Sequence, residues 1–255
     1  MVWFKAWHCT RTKFLVLLAV LVIIATGDVF GWPALQTIVS ATKVDPSSGG
    51  DGGVAAKLNE AIAAEQTFRG YVWNEWFAGN FRSCFVLFSA LLGSGSVLSA
   101  SGRGMLFSLA LPVARRRWLG ARAGVGLVEL FVLALVPSLV IALLATAVNE
   151  SYSFVDAAVH GALIFVVGSV FFALAMLASA LVDDLWRALL LTTVVALVLA
   201  CADFLLPAGY GLFATMSGRT FYYYGTVPWL GLIASAALTA ALLYAAAAQL
   251  ARRDF

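Results

Sequence analysis

The chain offers few groups that could do chemistry, and their spacing limits what that chemistry could be. Glu129 lies within an apolar run, with Arg122 seven residues earlier on the same helical face, so the two are read as an ion pair near one membrane surface, or as a gating or proton-linked pair. Asp203 stands near the end of another apolar run and is expected to reach water or to pair with Arg219. His160 begins a further run and reads as a solvated interface residue. The other histidine, His8, is far away in the chain, which leaves metal chemistry almost no basis. The cysteines Cys9, Cys84 and Cys201 are odd in number and scattered, and define neither a disulfide framework nor a metal site.

Familiar catalytic patterns are missing. The Gly-Ser run over 93–96 lacks the lysine of a phosphate-binding G-x-x-x-x-G-K-[ST] loop, and no His-Glu-x-x-His occurs. A serine–histidine pair of Ser94 with His160 fails on geometry, because the reading puts the two at opposite membrane surfaces. No catalytic residue and no cofactor site is expected in this chain.

The elements that must position these groups follow from composition. Of 255 residues, 62% are apolar and only 11% charged, whereas a soluble domain carries about a quarter charged residues. A water-soluble enzyme and a disordered regulator are both excluded. Crossing about 30 Å of hydrocarbon takes about 20 mostly apolar residues, and six segments qualify, at about 14–33, 83–100, 123–148, 157–182, 188–206 and 227–250. The reading is an all-α polytopic membrane protein whose single domain spans 1–255. Lys and Arg favour the cytoplasmic side. Eleven of them fall in the segments on one side, including Arg115, Arg116, Arg117, Arg252 and Arg253, against five on the other. Both termini are therefore expected in the cytoplasm. The basic start and long apolar run of the first span fit a retained anchor better than a cleaved signal peptide. No internal repeat supports a carrier built from inverted halves.

Between the spans, 34–82 reads as a long external loop. A flexible Gly-Ser-Asp stretch is followed by a helix resting on the membrane, with Glu65 and Arg69 as an i,i+4 pair and Phe68, Tyr71, Trp73, Trp76 and Phe77 anchoring it at the outer headgroups. The second span carries Ser89, Gly93, Gly95, Ser96 and Ser99, small residues that let helices approach closely. Pro137 is expected to kink the third. The outer segment 207–226 is rich in glycine and aromatics, among them Tyr222 and Tyr223, and suits an aromatic belt. The segment 101–122 places Met105, Leu106 and Leu109 on one side of a short helix, ended by Leu111 and Pro112 and followed by Arg115, Arg116 and Arg117. Such a segment can be a topology anchor that binds lipid phosphates, or a docking element with an apolar ridge and a basic rim.

These last features carry a resemblance. A helix after span two, the run Leu111-Pro112-Val113 with Arg115, and Trp118-Leu119-Gly120 leading into span three make the chain similar to the permease subunits of ABC-2-type transporters. Its basic amphipathic start and its Arg252-Arg253-Asp254-Phe255 ending are also typical of them. Family members usually carry one or two acids just before that helix, where this chain has Ser99 and Ser101. The resemblance implies an exporter of the bacterial plasma (inner) membrane, and that 1–13 is an interfacial elbow helix and 101–122 the coupling segment. The ATPase contact would be made by Met105, Leu106, Leu109, Leu111, Pro112, Arg115, Arg116 and Arg117. It further implies short re-entrant helices within 207–226, and a translocation path near Ser89, Gly93, Ser96, Asp203, Tyr222 and Tyr223. The implied partners are two cytoplasmic ABC ATPase subunits, which would bind the ATP and Mg, and a second copy or related permease; no nucleic acid is implied. The competing reading from another class is a non-transporting scaffold subunit whose arginine loop recruits a cytosolic factor.

Overall fold

The computed structural model describes residues 2–41, 67–94, 115–182, 184–205 and 211–252. In chain order these form α1 (Val2–Ala41), α2 (Phe68–Tyr71), a π-helical stretch (Val72–Asn80), α3 (Phe81–Ser94), α4 (Arg115–Leu144) closed by a 3-10 turn (Ala145–Val148), α5 (Phe154–Leu181), α6 (Leu185–Leu205), α7 (Leu212–Met216), α8 (Arg219–Tyr224) and α9 (Trp229–Arg252). No strand occurs among the described residues. Six helical segments are long and apolar enough to cross a bilayer: Thr10–Thr37, Phe68–Ser94, Trp118–Val148, Phe154–Leu181, Leu185–Asp203 and Trp229–Leu250. This is a multi-pass membrane protein.

The helices are apolar on all sides, but apart from the central α5 they leave much of that surface unpacked. On α1, Phe14, Leu17, Leu21, Ala25, Val29 and Trp32 are buried at helical spacing, while Leu15, Val16, Val20, Ile23 and Phe30 remain exposed. A helix that is hydrophobic all round belongs in a bilayer, with lipid covering the unpacked face. At the centre stands α5, packed by α3, α4, α6 and α9. Small residues at its contacts permit this crowding. Phe172 of α5 wedges between two glycines. A Cβ on Gly93 of α3 would collide with the Phe172 carbonyl, and one on Gly126 of α4 would enter the Phe172 ring. Buried hydroxyls tie the bundle further: Ser179 Oγ donates to the Ser94 carbonyl at 2.7 Å, and Ser169 and Thr239 share a hydrogen bond of 2.9 Å between α5 and α9.

Three sequence expectations are corrected. The elbow over 1–13 is not a separate element, because residues 2–13 are the opening turns of α1. Nothing from Thr10 to Phe14 breaks a helix, and Arg122 Nη1 donates to the Ala6 carbonyl at 3.2 Å, tying this end to α4. The external loop 34–82 is also shorter than expected. Residues 34–41 continue α1 and residues 68–82 open the second apolar crossing. The interface anchors read there are instead core: Phe68, Tyr71, Trp73, Trp76 and Phe77 are all buried. Finally, α4 begins at Arg115, so 115–122 belongs to the third long helix rather than to a separate segment. That helix continues through Pro137 without ending. Its exit is tight: Asn149 adopts a left-handed φ of 58°, and its N–H caps the 3-10 turn.

Candidate functional site

At one end of the bundle, α7 and α8 form a short hairpin that folds onto the π-helical stretch and the start of α5. Gly218 joins the two helices with φ 66°, a left-handed conformation that glycine adopts freely. No larger residue would fit, since a Cβ there would lie 2.8 Å from His160 Cδ2 and 2.9 Å from a Leu163 methyl. The hairpin is latched from the other side by Trp73. Its indole N–H donates to the Ser217 carbonyl at 3.0 Å, its ring lies flat on Tyr222 with centroids 4.5 Å apart, and it meets Tyr223 edge-on at 5.5 Å.

His160 is only 1% exposed, which corrects the expectation of a solvated interface residue. Its Nδ1 lies 2.8 Å from the Asp156 carbonyl. A carbonyl can only accept, so Nδ1 carries the proton and Nε2 of the neutral ring presents a lone pair. That lone pair has no donor. Phe77 stacks on the imidazole at 4.5 Å, and Phe221 of the hairpin meets it edge-on at 5.3 Å. The Asp156 carboxylate turns instead to Arg69, at 3.1 Å. Arg69 thus pairs across helices; Glu65, the partner read for it from the sequence, lies outside the described residues. Its guanidinium also sits 5.4 Å from the Tyr222 ring centroid, within cation–π range.

Two phenols on this rim titrate above the usual range. Burial pushes the Tyr152 hydroxyl up, with the Asp156 charge adding to it, and the hydroxyl has no hydrogen-bond partner. Burial also raises Tyr222, with Tyr223 adding to the shift. Trp32 completes this end: its indole N–H donates to Glu150 Oε1 at 3.1 Å, while its ring packs on Phe68 and Tyr71.

Asp203 does not pair with Arg219. Its Oδ2 accepts the backbone N–H groups of Phe213 and Ala214 at 2.9 and 3.1 Å, fixing the start of α7. Gly211 is needed beside it, because a Cβ there would overlap the carboxylate. Arg219 instead lies 5.9 Å from the Tyr223 centroid. Sequence reasoning had no signal for this cap, since the partners are backbone amides. Among the candidates for a translocation path, Tyr222, Tyr223 and Asp203 thus meet around the hairpin. Ser89 and Gly93 are buried along α3, Gly93 directly against α5, and Ser96 lies outside the described residues.

At the opposite end, Glu129 is 1% exposed, and both carboxylate oxygens lack a hydrogen-bond partner. Thr10 of α1 lies against it, and Arg122 is within electrostatic reach. Arg122 Nη1 also donates to the Ala6 carbonyl, so this arginine serves α1 as well as the carboxylate. Met105, Leu106, Leu109, Leu111 and Pro112 lie outside the described residues. Arg115, Arg116 and Arg117 form the first turn of α4. Among the described residues, no group of three or more His, Cys, Asp or Glu side chains could hold a metal ion.

No family model, curated protein or solved structure matches this chain.

Proposed function

We propose that the chain is the membrane permease subunit of an ATP-driven ABC-2-type transporter, working as an exporter in a bacterial inner membrane. In this reading it pairs with a second copy or a related permease, and two separate cytoplasmic ATPase subunits bind and hydrolyse the nucleotide. The chain itself supplies no catalytic residue. The observation that carries the reading is the pair of short helices, α7 and α8, set between the last two apolar crossings and packed onto the second through Trp73. That is the position where the resemblance implies short re-entrant helices. Irregular backbone at membrane depth would need protein to cover it, and Trp73 and His160 pack on this hairpin.

Force would enter at the other end, through the segment 101–122 and the arginines that open α4. Nucleotide-dependent contacts there would shift the bundle between two states. The test is co-purification from native membranes after mild cross-linking. The expected result is a polypeptide with a Walker A motif in the captured complex, lost when Arg115, Arg116 and Arg117 are all changed to Ala. A complex with no nucleotide-binding polypeptide, or capture indifferent to the triple change, would overturn the reading.

A further inference from the structure

The stretch Val72–Asn80 is wound with a wider turn than the helices on either side of it. The N–H of Phe81 reaches back five residues to the Trp76 carbonyl, the bonding of a π-helix, a rare conformation found mostly as single turns and often at functional sites. Its side chains record the same geometry. In an α-helix of 3.6 residues per turn, residues five apart point about 140° away from each other. Trp76 and Phe81 nevertheless stack nearly parallel, with centroids 4.6 Å apart and planes 10° apart. This stack can exist only while the turn is wide.

The wide turn is held under opposing pulls. Asn80 Nδ2 donates to the Asp28 carboxylate at 3.3 Å, and Trp73 is latched to Ser217 and Tyr222. Against these stands a buried Trp76 indole N–H with no acceptor, while Gly79 leaves free the space in which a Cβ would lie 3.1 Å from the Asn74 carbonyl. The lower end is anchored, since Phe81 and Phe85 are fully buried in the core. Tightening the stretch to α geometry therefore turns its upper end relative to α3. Trp73, near that upper end, is the residue that must leave its place.

We propose that Val72–Asn80 is a two-state hinge. In its wide form it clamps the α7–α8 hairpin down through Trp73. In its tight form it withdraws that indole, frees the hairpin and uncovers His160. The hinge belongs to the fold itself and does not depend on which partner, if any, drives it.

The test uses the full chain in lipid nanodiscs, with Cys9, Cys84 and Cys201 changed to Ser and Ser217→Cys as reporter. Ser217 is buried in the hairpin turn, so a water-soluble maleimide reaches this position only when the hairpin lifts. Gly79→Ala favours the tight form by crowding the Asn74 carbonyl in the wide one. Overpacking at the low end of its usual cost gives roughly fivefold faster labelling. Gly27→Ala and Gly120→Ala meet no atom within 4 Å and leave the rate unchanged. Labelling of the Gly79→Ala protein at the control rate overturns the proposal. Should that variant not fold, hydrogen–deuterium exchange on the unaltered chain decides. Amides of 72–81 and 212–224 that open with one common rate support the hinge, and independent rates overturn it.

Discussion

His160 and Gly218 touch so closely that the turn of the hairpin and the imidazole occupy a single fitted contact, with no room for a methyl group between them. Two separate costs therefore meet at Gly218: a left-handed φ of 66° and a collision with a buried ring. Gly218→Ala is expected to destabilise the protein by about 2–4 kcal/mol, combining the left-handed penalty with overpacking. Gly225 shares the left-handed φ, at 67°, but has no atom within 4 Å of its would-be Cβ. Gly225→Ala should then show only the backbone part, about 1–2 kcal/mol. Denaturant titrations of both in the same detergent measure the difference; equal losses would mean that His160 does not press on the turn.

Asp203 holds the start of α7 through the N–H groups of Phe213 and Ala214. Asp203→Ala leaves both donors without an acceptor and is expected to cost about 1–2 kcal/mol. Amide exchange at Phe213 and Ala214 should accelerate, while exchange in α5 stays as it was. Asp203→Asn keeps an acceptor oxygen and should recover part of the protection.

Glu129 is buried with neither oxygen bonded. Burying a polar group without partners costs roughly 1–3 kcal/mol by mutational measures. Glu129→Leu should therefore raise the unfolding midpoint of the isolated chain. A fall in midpoint would show that the carboxyl makes a contact important to stability. If the residue is retained for work, the same variant should also be less active in transport assays, so that stability and activity move in opposite directions.

The rim phenols give a pH signature. Tyr152 and Tyr222 ionise above the usual phenol range because burial disfavours the phenolate. A folded-state value above the unfolded one means the unfolded chain releases its proton first as pH rises. The stabilisation is thus complete below about pH 10 and is lost progressively above it. Melting temperature should fall between about pH 10 and 12. Tyr152→Phe should flatten that fall, and absorbance titration of tyrosinate should lose its most alkaline component in the same variant. An unchanged alkaline limb in Tyr152→Phe would assign the loss to other groups.

The six crossings were legible because composition leaves no other home for 62% apolar residues. The close approach of α3 to α5 was legible in Ser89 and Gly93. The start of the second crossing was not, because Asn74, Glu75, Asn80 and Arg82 interrupt the apolar run, and an average over hydropathy reads such interruptions as loop. A signal was present nonetheless. Phe68, Trp73, Phe77, Phe81 and Phe85 recur at intervals of five, four, four and four, on average wider than the 3.6 residues of an α-helical turn, and this is the spacing a π-helical turn buries on one side. His160 was misread for a different reason: its burial is supplied by Phe77 and by a hairpin some sixty residues downstream, a non-local contact that no local pattern encodes. Of the two readings of Asp203, the pairing with Arg219 fails: a nearby arginine is visible in a sequence, whereas a free backbone amide is not.

The forty residues of α1, at about 1.5 Å each, make a rod of about 60 Å, twice the depth of the oily layer it crosses. Its apolar portion alone, Thr10–Thr37, outruns that layer, a mismatch taken up by leaning, kinking or local thickening of the lipid sheet. Thr10 rests against Glu129 near the base of this rod, while Trp32 grips Glu150 near its top. A change in sheet thickness would therefore be felt at both ends of the molecule at once.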